Sequence, residues 1–328
     1  MEFEKIKKAE VHLHLDGSVS KKTLYNLYGR EKGIGFDEFE EIVAIKGSVK
    51  SLADYLGKFE IPLKIMQNRE TLESVSCDIA DELAIENYIY SEIRFAPQLH
   101  FRNGLKGEEV VASVLKGIEN RKNHNSYVGI ILCIMRHLSE EEAFEIVKLA
   151  EKFYGIGVVG IDIAGDEKSF PVSKFKNVFA LAKNMGINFT IHAGEAQGAE
   201  SVKCAVELGA KRIGHGVRCI EDMEVAKIIA EREIMLEMCP VSNMQSSVYK
   251  DFFKEYPVKK LLDMGVKIGL NSDNRTVSDT NLKRESEFLM KNFDIDETVI
   301  KEMIRNNIKY GFADDKIIKR ALKEFDNV

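Results

Sequence analysis

Only five prolines punctuate the 328 residues, and no stretch is rich in glycine and serine or low in complexity, so nothing marks a linker between domains. No apolar run approaches the roughly eighteen residues that a bilayer span needs, and the opening MEFEKIKKAEVHLHLDGS lacks the uninterrupted apolar stretch of a secretory signal. Blocks of like charge are missing too. With 47 basic against 53 acidic residues the net charge is −6, which makes nucleic acid an unexpected partner. The five cysteines, Cys77, Cys133, Cys204, Cys219 and Cys239, are odd in number, widely spaced and never arranged as CxxC. That excludes a disulfide framework and a cysteine-built zinc site, and they read as reduced, buried thiols. A soluble, cytoplasmic, monomeric protein with no membrane partner is expected.

What is present points to a large core. Area scaling gives roughly 13,600 Å² exposed when folded against roughly 53,800 Å² unfolded, and 45% hydrophobic with 30% charged residues is ordinary globular composition. Short β-branched apolar runs recur at 11–16, 87–97, 127–135, 158–165, 187–194, 211–217, 233–240 and 266–273. Amphipathic segments such as EEEAFEIVKLAEKFY separate them, long enough for the crossovers that parallel strands require. Eight alternations predict an α/β fold, a (β/α)₈ TIM barrel, as one domain over 1–328 with extra helices at the C-terminus. The first connection is too long for a βα loop, so a helical insertion is expected over about 18–86. Within it Ser51 and Asp54 resemble a capping box opening SLADYLGKFE, whose Leu52, Tyr55, Leu56 and Phe59 share one helical face. That stripe fits core packing or a lid over the barrel rim.

Histidine is scarce, with seven in all, yet four fall at or near strand ends. In a strand, positions i and i+2 share a face, so His12 and His14 aim one way and Leu13 the other. Two hydrogen-bonded histidines would explain HLH as well, and the other candidates decide. His192 stands in IHAGE, where small Ala193 and Gly194 let the chain turn and expose Glu195. Strand 8 ends in Asn271-Ser272-Asp273-Asn274. Three histidines and a carboxylate suit one zinc ion, with a fourth position left for a water whose pKa the metal lowers. Glu195 and His215 remain beside it as an acid and a base, which makes hydrolysis or hydrolytic deamination the expected chemistry. The GxGxxG match at Gly155–Gly160 follows a helical run and leads into a strand, the reverse of a dinucleotide loop, and reads as an αβ turn.

Five blocks, KAEVHLHLDGS, SEIRFAPQLH, GIDIAGDE, IHAGE with RIGHG, and GLNSDN, resemble the adenosine deaminase family of the amidohydrolase superfamily, in order and at strand ends. The resemblance implies that His12, His14, His192 and Asp273 hold one zinc per chain. It implies that Glu195 protonates N1 of a purine nucleoside and that His215 orients the attacking hydroxide. Further, the Gly165 N–H would meet N3, Asp16 would accept from the ribose 5′-hydroxyl, and His14 would lie against the substrate. Leu52, Tyr55, Leu56 and Phe59 would form an apolar gate. Where many members carry Asp-Asp, this chain has Asp273-Asn274, and the Asn274 amide still offers N7 a donor. Relatives acting on free adenine tend to read HLEG; HLDG here leaves room for a sugar, which favours adenosine and 2′-deoxyadenosine, although Asp16 can also serve as a helix cap.

Alternatives from other classes are a deaminase of adenine or a modified adenosine, and a catalytically silent purine-binding protein, which would be expected to have lost Glu195 or a ligand. A two-metal hydrolase would need a lysine on strand 4, and VVGIDIAG has none. Arg94, Arg136, His100 and His137 fit structural or solvated roles better than substrate contact. Ser242 and Asn243 fit either a rim contact or turn chemistry.

Overall fold

Eight parallel strands occupy the apolar runs: β1 (Lys8–His14), β2 (Tyr88–Phe95), β3 (Tyr127–Met135), β4 (Val158–Ala164), β5 (Thr190–Ala193), β6 (Arg212–His215), β7 (Met235–Met238) and β8 (Lys267–Leu270). The computed structural model describes residues 2–47, 49, 55, 57–246 and 255–327; Leu52, Leu56 and the Ser51 and Asp54 pair lie outside the described residues. β1 begins at Lys8 rather than Val11, because two charged residues enter a buried strand with partners in place. Lys8 Nζ donates to the carbonyls of Ile6 (3.3 Å) and Glu86 (2.7 Å), and Glu10 Oε1 accepts from the N–H and hydroxyl of Ser272, both at 2.6 Å.

The strands hydrogen-bond in two sets of four, β1-β2-β3-β4 and β5-β6-β7-β8. Two seams join the sets into a ring, and at both seams side chains replace part of the backbone ladder. Between β4 and β5, Ile161 N–H donates to Asn188 O (3.0 Å) and His192 N–H to the Asp162 carboxylate (3.2 Å). Between β8 and β1, Asn271 Oδ1 accepts from the N–H groups of Val11 (2.8 Å) and His12 (3.1 Å). Asn307 Nδ2, from the helix Glu297–Lys309, donates to Ala9 O (2.8 Å) and Leu270 O (2.7 Å) across the same seam.

Helices cover the outside of the ring. Glu140–Phe153 shows why one forms: Ser139 and Glu142 exchange capping bonds (3.2 and 2.9 Å), and Ala143, Ile146, Val147 and Ala150 bury one face. It ends at a turn in which Gly155 and Gly157 take φ of 77° and 119° before β4 starts, so the GxGxxG match is a helix-to-strand turn. Phe36–Val43, Glu60–Ile65 and Arg69–Ile85 fill the long connection after β1, and Leu282–Phe293, Glu297–Lys309 and Asp315–Asp326 follow β8. Among the described residues no helix is long and apolar enough to cross a membrane.

Asn307→Ala removes the donor for two buried carbonyls at the β8/β1 seam. Each carbonyl left unpaired costs about 1–3 kcal/mol, and denaturant unfolding is expected to show a loss of that order.

Candidate active site

The C-terminal ends of the strands bring the chemistry-bearing residues together. His12 and His14 share a face of β1 while Leu13 packs into the core. β5 delivers His192, β6 delivers His215, and the turn after β8 delivers Asp273. The ring centroids of His12 lie 4.6 Å from His192 and 4.9 Å from His215. His14 Nε2 stands 3.3 Å from His192 Nε2, and Asp273 Oδ1 stands 3.3 Å from His14 Nε2 and 3.6 Å from His12 Nε2. His12 Nε2 is buried with no hydrogen-bond partner.

Backbone strain accompanies this convergence. His215 and Asp273 both sit in the left-handed region at φ 61°, where non-glycine residues are uncommon. Local bonds hold the strand ends there: Asn274 N–H donates to Ser272 O (2.7 Å), and Asp273 N–H and O engage His12 O (3.1 Å) and His14 N–H (2.8 Å). In IHAGE, Gly194 adopts φ 71°, and a Cβ there would lie 2.4 Å from Val202 Cγ2. The turn that follows is gathered by one carboxylate. Glu167 accepts from the N–H groups of Gly194 (2.7 Å), Ala196 (2.7 Å) and Gln197 (2.9 Å), which sets Glu195 at the rim with Oε2 3.6 Å from His215 Nε2.

Beneath the histidines lies a buried ionic layer. His192 Nδ1 is 2.7 Å from Asp162 Oδ2, and His12 Nδ1 is 2.8 Å from Glu237 Oε2. Arg94 joins both carboxylates (2.7 and 2.8 Å), and Arg212 joins Glu237 to Glu92 (2.7 and 2.6 Å). Burial, then the Arg94 cation, presses His12 down to about 4, and burial holds His14 well below the ordinary imidazole range. Burial would lower His192 as well, but the Asp162 carboxylate beside it outweighs that and raises it. Burial also opposes ionisation of Asp273, yet His12 and His14 hold it well below the usual carboxylate range.

This donor set passes a physical test for a cation. Candidate ligand atoms of His12, His14 and Asp273, and likewise of His12, His192 and His215, lie within 4.8 Å of one another. Burial disfavours the charged form of His12 and His14, and two of the imidazoles have carboxylates beside their far nitrogens, the usual support for metal-bound histidine. A cavity of about 790 Å³ opens above it, bordered by Asp16, Gly165, Glu195 and Asn274, with Tyr55 and Phe59 on one wall. Gly165 turns the end of β4 with φ 107°. Burial raises Asp16 to about 6. It lies inside the short turn Leu15–Ser18, and the next helix, Lys21–Leu24, is capped by Ser20, so Asp16 is not the cap of a following helix. Asn274 Nδ2 donates to the Tyr55 hydroxyl (2.9 Å).

The lesser candidates divide. Arg94 belongs to the ionic layer, Arg136 donates to the carbonyls of Phe170 and His192, and His100 Nδ1 meets Met66 O at 2.8 Å. His137 is exposed. Ser242 and Asn243 do more than turn the chain: Ser242 Oγ donates to Asp273 Oδ2 (2.7 Å) and Asn243 Nδ2 meets His215 Nδ1 (3.1 Å). Sequence reasoning missed Asp162, Glu237 and Glu167. For Asp162 and Glu237 the available signal was a lone carboxylate inside an apolar strand, as in GIDIAG and IMLEMC, which burial permits only with a partner.

A family model described as adenosine deaminase matches residues 7–328. The chain is 37% identical to an adenosine deaminase of Clostridium perfringens over 330 residues, covering 98% of each. Its fold is similar to that of the Arabidopsis N6-mAMP deaminase (TM-score 0.88, 24% identity, all of both chains). A COG1816 amidohydrolase from Burkholderia ambifaria, solved with bound Zn, has a TM-score of 0.86 at 23% identity, covering 99% of this chain and 92% of that one.

Glu237→Ala would leave Arg94 and Arg212 each short of a partner in the interior. Breaking a buried ion pair from one side costs about 3–5 kcal/mol, and chemical denaturation is expected to report a loss of that order, whereas Glu237→Gln loses less.

Proposed function

Since the chain belongs to the adenosine deaminase family of hydrolytic deaminases, we propose that it converts adenosine and 2′-deoxyadenosine to inosine and deoxyinosine with release of ammonia. The observation that carries this reading is the meeting of His12, His14, His192, His215 and Asp273 at the floor of a cavity that has Glu195 on its rim.

We assign His12, His14, His192 and Asp273 to a single zinc ion. When bound, such an ion supplies Lewis acidity that makes water a nucleophile near neutral pH. The remaining work falls to the chain's own groups. Glu195 takes a proton from the attacking water and delivers it from Oε to purine N1, which makes C6 electrophilic. His215 orients the attacking oxygen and offsets its charge as it adds to C6. The C6–N bond then breaks; one proton of the incorporated water ends on N1 by way of Glu195, and the other leaves with ammonia.

Orientation comes from three edges of the cavity. The Gly165 N–H donates to N3. Asn274 has two N–H bonds on Nδ2, and with one spent on Tyr55 the other is available for N7. Asp16 accepts from the ribose 5′-hydroxyl, and its negative charge opposes a 5′-phosphate, which favours nucleosides over nucleotides. Tyr55 and Phe59, which border the cavity, act as the lid that excludes water.

Purified protein is expected to release ammonia from adenosine and deoxyadenosine faster than from adenine or AMP, and faster than it releases methylamine from N6-methyl-AMP. Chelation should abolish this and zinc restore it, and Glu195→Gln should lower kcat by about 10²–10⁴. Faster turnover of adenine or a nucleotide would replace the substrate assignment, and full activity after chelation would remove the metal. Separately, Asn274→Ala should lower kcat/KM by about 10-fold, the size of one hydrogen bond; a change within about twofold would take Asn274 out of substrate binding.

A further inference from the structure

We propose that Asn243, held by Tyr256, is a positioning residue that keeps Nδ1 of His215 as the acceptor and its proton on Nε2. His215 then meets the reacting centre as a hydrogen-bond donor and not as a base. The inference rests on the water-orienting role assigned to His215 above.

Two independent contacts select the same tautomer. On the far side of the ring, Asn243 Nδ2 lies 3.1 Å from His215 Nδ1, and the Tyr256 hydroxyl donates to Asn243 Oδ1 at 3.1 Å. With the amide in that orientation its N–H points at Nδ1, which must therefore be the bare nitrogen. On the near side, Nε2 faces the Glu195 carboxylate at 3.6 Å. A lone pair there would oppose that carboxylate, whereas an N–H is attracted to it. Turning the amide over would place Oδ1 against Nδ1 and a bare Nε2 against Glu195, which the charges disfavour.

The mounting of Asn243 is rigid. His215, Asn243 and Tyr256 are all buried, and Asn243 sits on the short helix Pro240–Gln245 directly after β7. Glu285 accepts from Val241 N–H (2.9 Å) and holds that helix, and the neighbouring Ser242 fixes Asp273 Oδ2. One turn of chain thus sets both the free oxygen of Asp273 and the protonated nitrogen of His215. The imidazole depends on this contact because its backbone is already in the left-handed region at φ 61°. The chemical consequence is a division of labour: with Nδ1 spent on Asn243 and a proton on Nε2, His215 presents no lone pair to take a proton from water, so proton transfer falls to Glu195.

A long-range 1H–15N correlation of the labelled, zinc-loaded protein tests this, with the His215 signals assigned by their loss in His215→Gln. Wild type should show a protonated Nε2 and a bare Nδ1. Asn243→Asp keeps the shape but offers only an acceptor. It should move the proton to Nδ1 and lower kcat by about 10- to 100-fold, with KM for adenosine within about twofold and zinc content unchanged. Tyr256→Phe, which frees the amide to turn, should show a mixture of tautomers. A protonated Nδ1 in wild type overturns the proposal, as does an Asn243→Asp enzyme whose kcat stays within about twofold. If Asn243→Asp does not fold, the wild-type spectrum decides alone. Failure of wild type to deaminate adenosine would instead sink the substrate reading, and the tautomer would still be read from the spectrum.

Discussion

Two of the histidines at the floor of the cavity, His12 and His192, lean on two buried carboxylates. Asp162 and Glu237 each face upward to a histidine and sideways to Arg94, and Glu237 also meets Arg212. Ionised groups taken out of water are tolerable only as a closed set of partners, and here the set includes the imidazoles themselves. The His12 and His192 rings are therefore held by the same carboxylates that pair with Arg94 and Arg212. Their far nitrogens are occupied and their near ones are presented to a common point. Position and protonation of these two rings are consequences of a single network, which is why they can be held so closely.

Above that layer, the chain makes its reactive side chains converge by bending strand ends. His215 and Asp273 accept a costly backbone conformation, and Gly194 makes the turn that frees Glu195. The bends are held by polar groups that stand one step back from the substrate: Glu167 under IHAGE, Ser242 behind Asp273 and Asn243 behind His215. Strain stored at a site persists only where surrounding bonds over-determine it, and each of these three residues supplies such a bond.

Much of this was legible in the chain. The eight apolar runs predicted the strands because fully buried parallel strands read as continuous β-branched stretches, and HLH, HAGE, GHG and NSD stood out as polar groups at their ends. The start of β1 was not legible, since Lys8 and Glu10 find their partners in Glu86 and Ser272, far away in sequence. Asp162 and Glu237 were hidden for the same reason: a carboxylate in mid-strand says that a cation exists but not where. Ser242 and Asn243 fitted a rim contact and turn chemistry alike, because local hydrogen-bonding capacity looks the same whether it serves the backbone or a neighbouring imidazole. Asp16 was read partly as a cap for a following helix, and Ser20 fills that place.

The two seams of the ring give this site a mechanical meaning. His12 and His14 come from one four-stranded half, while His192 and the Asp273 turn come with the other. Each half-shell is laced internally by backbone bonds, but the joints between them depend on a few amides and a carboxylate. An ion gripped by this quartet would act as a rivet across the joint. Its binding free energy would add to the closure of the barrel as well as to chemistry, so occupancy and resistance to unfolding would rise and fall together.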